Sequence, residues 1–506
     1  MTSHMSPLAR SRTLLALAAA AALGLSGCGG GGPAEAAGPR RVIVLGIDGL
    51  DHALAARMMA AGEMPHFSRI AEQGAFQPLE TSIPPLSPVA WSSFITGRDA
   101  GGHGIFDFIH RDPATMIPYL STSRTLKGER HLDFRKWRFP LEGDRTELLR
   151  GGRAFWEVLE ERGIETTIVR MPANFPVSGT ATRELSGMGT PDVLGTYGTF
   201  SFYTSRPFAY DAEEVSGGKV YPAYPYDGVV EAQLYGPDNA FLVEKQRVSA
   251  DFAVYLDPER PLAKLQVGGE QRVLAVGEWS DWVPVELELL PFKSLAGACR
   301  FYLRSLRPEF ELYVSPINID PHTSGAGLSN PDGYAGELAD AGGYFYTQGM
   351  PEDTKALTSG VLDRDEFLAQ AALAGDEVID QFEDVLAGFD EGLLFYYFGG
   401  IDQVSHMMWK AMDPDHPGFD PERDPQYADV IPALYRRYDQ VVGRAFEAMG
   451  RDTLLLVMSD HGFTSWRRSF HLNSWLREER FLAVRDPNPR NDRGLYTNVQ
   501  WSRTRA

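Results

Sequence analysis

Disulfide bonds cannot be what holds this chain together. Among 506 residues there are only two cysteines, Cys28 and Cys299. A small secreted scaffold stapled by cystines is excluded, so a large core must do that work. Positive charge is scarce too. The chain carries 48 basic residues against 68 acidic ones, a formal charge of −20, and no basic stripe interrupts it, which argues against nucleic acid as a partner. The Leu/Ala-rich run Thr13 to Leu25 has signal-peptide length and is too short to span a bilayer comfortably. No short-period repeat and no long low-complexity tract appears.

Arg10 and Arg12 precede that run, which ends in Leu25-Ser26-Gly27-Cys28. The ending is similar to the bacterial lipobox, in which the cysteine is lipidated and becomes the mature N-terminus. Residues 1–27 are therefore expected to be a signal peptide, and 28–40 a lipidated Cys28 on a Gly/Pro-rich flexible tether. The expected address is the cell envelope, on a bacterial membrane. Gly29, where inner-membrane retention would often show Asp, tilts this toward the outer membrane facing the periplasm.

What the chain has is three near-continuous apolar runs, each ending in an acid. They are Arg41 to Ile47 before Asp48, Leu393 to Phe398 before Asp402, and Leu454 to Met458 before Asp460. Runs of this kind are what parallel strands covered on both faces look like. Helical periodicity at Asp363 to Leu386 and Ala433 to Met449 supplies the crossovers of a βαβ rhythm. The fold class expected is α/β: a doubly wound, mostly parallel sheet with helices on both faces. From about Tyr203 to Pro316 short alternating segments take over, with Gly268-Gly269 as a hairpin turn, which predicts a β-rich insertion. The α/β domain thus occupies 41–202 and 317–506. Residues 498–506 read like the middle of an element, so the chain is expected to be C-terminally truncated. Trp279, Trp282, Phe301, Tyr302 and Tyr313 in the insertion are expected in its core rather than as a sugar platform.

In open α/β sheets ligands bind beyond the carboxyl ends of the strands. Asp48, Asp402 and Asp460 arrive there together, with His406 four residues after Asp402 and His461 next to Asp460. Asp402 and His406 share one side of a helical turn. Carboxylates and neutral imidazoles suit Zn²⁺ or Mn²⁺. Ser87-Pro88 opens a helix that Gly97 ends, with Ser87 at the N-cap and Pro88 at N1. Ser87 is either a cap or, beside a metal cluster, a nucleophile at the positive end of a helix.

The segments Ile47-Asp48-Gly49, Ser87 to Gly97 with His103-Gly104-Ile105, Asp402-x-x-x-His406 and Ser459-Asp460-His461-Gly462 resemble the alkaline phosphatase superfamily. They look most like its type I phosphodiesterase/nucleotide pyrophosphatase and predicted phosphohydrolase/phosphomutase branch. The resemblance implies a phosphate-ester substrate and two divalent ions, Zn²⁺ before Mn²⁺. One ion would be held by Asp48, Asp460, His461 and Ser87, the other by Asp402, His406 and a third histidine. That third ligand is either His471 or a residue beyond the chain end. The resemblance also implies a metal-activated Ser87 and a phosphoserine intermediate. Nucleotide pyrophosphatases carry Pro-Asn just after the nucleophile; Val89-Ala90 stands here, so nucleotide specificity is not implied. Sulfatases share the fold, but Ser87-Pro88-Val89-Ala90-Trp91 lacks the formylglycine context. Two rival readings remain: a phosphomutase of the same superfamily, and a non-catalytic, metal-stabilised envelope lipoprotein that binds glycan.

Overall fold

A computed structural model describes residues 40–210, 215–487 and 497–505. The signal peptide, Cys28 and most of the tether lie outside the described residues. Arg41–Ala506 forms one compact unit. Among the described residues no helix is long and apolar enough to cross a membrane.

The central sheet has six strands: β1 (Arg41–Ile47), β2 (Thr166–Met171), β3 (Arg183–Ser186), β4 (Ser329–Asn330), β5 (Gly392–Phe398) and β6 (Thr453–Met458), in the order β4-β3-β2-β5-β1-β6. All neighbours run parallel except the short edge strand β4. The side-chain period of two explains why the runs are apolar throughout. Ile43, Leu45 and Ile47 of β1 enter one core, with Leu54, Met58, Phe382, Tyr435 and Val441 from covering helices. Val44 enters the other, with Trp91, Ile95, Trp156, Phe395 and Tyr397.

The helices that matter for the site are α1 (His52–Ala60), α2 (Ser87–Thr96), α3 (Arg364–Ala387), α4 (Gly400–Met408) and α5 (Val430–Glu447). At the start of α3, Asp363 and Glu366 cap each other's backbone N–H groups, which fixes where the helix begins. The chain from Phe200 to Ile319 is built from five-, four- and three-stranded sheets, and Gly268-Gly269 turns one hairpin. Phe301 and Tyr313 are fully buried there, and Trp282 and Tyr302 nearly so. The sequence reading singled out no strands between 109 and 148. The structure has three antiparallel strand pairs there, directly after the helical turn at Ala100–His103.

Candidate metal centre

Asp48 is the first residue past β1, and the pleat that buries Val44 also directs Asp48 to the α2 side. Gly46 lies between them, and a Cβ there would come within 2.6 Å of the Trp91 ring. Its absence lets Trp91 slide beneath the strand and donate from Nε1 to Asp48 Oδ2 at 2.9 Å. Tyr397, paired in register with Gly46, donates its hydroxyl to the same oxygen at 2.8 Å. Oδ1 is left facing Ser87, whose Oγ lies 3.3 Å away.

Ser87 is not the cap that the sequence suggested. The α2 helix starts one residue earlier, Leu86 occupies the N-cap, and no side chain caps it. Pro88, with no N–H to satisfy, removes part of the need for a cap. The Ser87 hydroxyl instead sits 3.1 Å from Nε2 of His461. His461 Nδ1 lies 2.9 Å from the Gly462 carbonyl, which can only accept, so in the neutral ring Nδ1 carries the proton. The Nε2 lone pair therefore points at Ser87. The next hydroxyls along α2 are committed to the helix: Ser92 donates to Pro88 O, and Ser93 to Val89 O. His103 is buried and structural, with Nε2 against Ser93 and Nδ1 accepting from Ile105 N.

The three strand ends converge. His461 Nε2 is 3.4 Å from Asp460 Oδ2, 3.6 Å from Asp48 Oδ1 and 4.0 Å from Asp402 Oδ1. Asp48, Asp460 and His461 each offer an atom within 4.8 Å of the others, a group that could hold a metal ion. Asp402 and His406 lie on α4 at the expected i, i+4 spacing, with Nε2 to Oδ1 at 3.4 Å, and Phe463 packs edge-on against the His406 ring. Gly49 makes the approach of β1 and α4 feasible: its φ is 68°, and a Cβ would lie 3.0 Å from the Asp402 Cα. His471 is not brought in. It is exposed, precedes the helix Leu472–Glu478, and forms no ion pair with the cluster among the described residues.

The electrostatics are those of a site short of positive charge. Burial, then the charge of Asp402, pushes the Asp48 carboxyl up to about 6. Burial, then Asp48 and Asp402, lifts Asp460 well above the carboxylate range. The hydrogen bond to Asp402 raises His406. Asp402 Oδ1 and Asp460 Oδ2 are buried, and among the described residues each has only an imidazole nitrogen, 3.4 Å away on His406 and His461, in place of a well-formed hydrogen bond. Buried carboxylate oxygens are rarely left so, and a cation is the partner they fit.

The sequence reading missed the two Asp48 donors, Trp91 and Tyr397, and also Glu352. That carboxyl is buried, and burial, then the charges of Asp402 and Asp48, outweigh Arg170 in pushing it up to about 7. A cleft lined by Tyr197, Pro316, Glu352, Lys355 and Gln403 opens beside it. Gln403 donates to Asp402 Oδ2 at 3.0 Å, so this cleft joins the insertion to the cluster.

A family model for type I phosphodiesterase / nucleotide pyrophosphatase matches residues 42–240 and 345–505, most of the chain. The chain belongs to this family. No curated protein and no solved structure gives a significant match. The interruption of the family match, 241–344, lies within and just past the β-rich region, so the type I phosphodiesterase core is continuous with the strands that carry Asp48, Asp402 and Asp460. As a member of this family the protein is a phosphoric ester hydrolase.

Proposed function

We propose that the protein hydrolyses phosphate mono- or diesters through a phosphoserine on Ser87, at a centre for two divalent ions, most simply Zn²⁺. The observation that carries this reading is the Ser87 hydroxyl, which caps no helix N–H and lies 3.1 Å from His461 Nε2 and 3.3 Å from Asp48 Oδ1. Asp48, Asp460, His461 and Ser87 would hold one ion, and Asp402 and His406 the other. When bound, such ions acidify a hydroxyl, stabilise a leaving oxygen and polarise the attacking water. Charge supports the pair: three clustered carboxylates repel an anionic ester, and two divalent cations turn the cluster net positive.

Ser87 Oγ forms the bond to phosphorus while the bond to the leaving oxygen breaks, and the alcohol departs with a proton. Water then cleaves the Oγ–P bond and restores the hydroxyl. Trp91 and Tyr397 hold Asp48 at one oxygen, so only Oδ1 faces the reacting end of α2. The cleft at Tyr197, Glu352 and Gln403 would receive the leaving group. We also propose that a lipid on Cys28 tethers the enzyme to a bacterial membrane, outer rather than inner. An acid quench during turnover of nitrophenyl phosphate mono- and diesters, followed by mass spectrometry, tests the mechanism. Phosphate is expected on the peptide containing Ser87, and turnover with no phosphopeptide under any quench time would overturn it.

A further inference from the structure

Residues 123–148 make a β-finger that this chemistry does not use. At its base Ser123–Leu126 pairs with Arg145–Leu148, and at its outer end His131–Phe134 pairs with Trp137–Pro140. In the outer pair Leu132 stands opposite Phe139, and Phe134 opposite Trp137. Residues opposite one another or two apart share a face, so these four line one side of the ribbon. Three of them are bare: Leu132 is 60% exposed, Phe134 63% and Phe139 47%, and Leu141 beyond them is 57% exposed. The finger is braced, because Trp137 bridges to Leu242 and Arg138 N donates to the Phe241 carbonyl.

Its charge opposes that of the chain. Between 123 and 148 there are seven Lys and Arg against five Asp and Glu, on a protein of formal charge −20. Arg124, Lys127, Arg130, Arg138 and Arg145 are each paired with a carboxylate of the finger. Arg135 and Lys136, at the turn, have no acidic partner among the described residues. They lie instead over rings, Arg135 5.5 Å from the Phe134 centroid and Lys136 5.0 Å from that of Trp137. Arg135 has a φ of 55°, a turn position where hairpins prefer glycine.

We propose that this finger docks the protein on an anionic phospholipid surface. The bare face of Leu132, Phe134 and Phe139 enters the headgroup layer, and Arg135 and Lys136 meet lipid phosphates. A small apolar wedge rimmed by cations is sufficient for interfacial binding. It is too little for a protein partner: these side chains offer on the order of a few hundred Å², where a stable interface covers about 800 Å² on each side. The acidity of the rest of the surface keeps other faces off the same lipid.

The test is vesicle sedimentation of a chain beginning at Gly29, which lacks both leader and Cys28 but keeps all of the compact unit Arg41–Ala506. Vesicles of phosphatidylglycerol and phosphatidylcholine should retain it, and phosphatidylcholine alone should not. Arg135→Glu with Lys136→Glu should lower partition at least about 25-fold, since each cation near such a surface contributes about fivefold. Phe134→Ser with Phe139→Ser should abolish retention at low salt, and 1 M salt should release the unlipidated wild type, while both variants keep the wild-type melting temperature and turnover of a soluble ester. Equal binding to both lipids, or wild-type retention by the folded variants, would overturn the proposal. So would a finger that captures a protein and ignores vesicles.

Discussion

The Tyr397 hydroxyl donates 2.8 Å to Oδ2 of Asp48, the same oxygen that Trp91 reaches from α2. Two neutral donors on one oxygen hold the carboxylate rigid and leave the other oxygen free for Ser87 and a cation. Tyr397→Phe should keep the fold, because the ring still packs in the same core. It should weaken zinc affinity and turnover by about 10- to 100-fold, the usual cost of removing a group that orients a metal-binding side chain. Zinc titration beside steady-state kinetics checks this; unchanged zinc affinity would make Tyr397 a packing residue only.

Ser87→Ala should lose several powers of ten in turnover and almost nothing in stability. Its hydroxyl caps no helix N–H, so unfolding should shift by less than the roughly 1 kcal/mol of a lost cap. Ser87→Thr keeps the hydroxyl and should stay measurably active. Near wild-type hydrolysis by Ser87→Ala would assign the chemistry to water alone.

Metal removal should invert the effect of pH on stability. The Asp48 carboxyl is raised from 3.8 to about 6 by burial and by Asp402, and Asp460 is raised as well by burial and by both neighbouring carboxylates. The metal-free folded protein therefore keeps protons that the unfolded chain has released. The stability from Asp48 is full below pH 3.8 and is lost as the pH climbs through about 6. Chelated protein should be roughly 1 kcal/mol more stable at pH 5 than at pH 7.5 on account of Asp48 alone. With saturating zinc the order should reverse, because protons then compete with the ion. Melting curves in chelator and in zinc at both pH values decide the matter, and parallel pH trends would remove the cation from the site.

Cys28→Ser should move the protein from the membrane fraction to the soluble one in cells, after a high-salt wash that strips surface contacts. Several acyl chains hold a bacterial lipoprotein firmly, whereas a protein interface would be salt-sensitive. Washed membranes that still retain Cys28→Ser would dismiss the lipid.

The strands bearing Asp48, Asp402 and Asp460 were readable because burial on both faces leaves a run of apolar letters with an abrupt polar end. Trp91 and Tyr397 were not, since an aromatic whose polar tip reaches a carboxylate has the same spelling as one that merely fills a core. Glu352 was invisible for a different reason: it lies in a short loop, Pro351-Glu352-Asp353, with no periodicity, and only the tertiary fold brings it within reach of the charges of Asp402 and Asp48. Ser87 was read one residue off at the helix start, and that residue matters, because it separates a hydroxyl that caps the helix from one that faces Asp48 and His461. The strands of the finger escaped notice because Arg, Lys and Pro break up their alternation.

The register of the central strands has a consequence for how the protein matures. Asp48 leaves β1 and Asp460 leaves β6, neighbours in the sheet but separated by most of the polypeptide. A slip of one position between them would turn one ligand to the opposite face and dissolve the cluster. A chain still emerging through Asp402 holds two of the carboxylates but not the histidine they surround. Under the proposed function, ion capture would wait for β6 to dock and would then lock it in place, so that metal uptake would proofread the sheet.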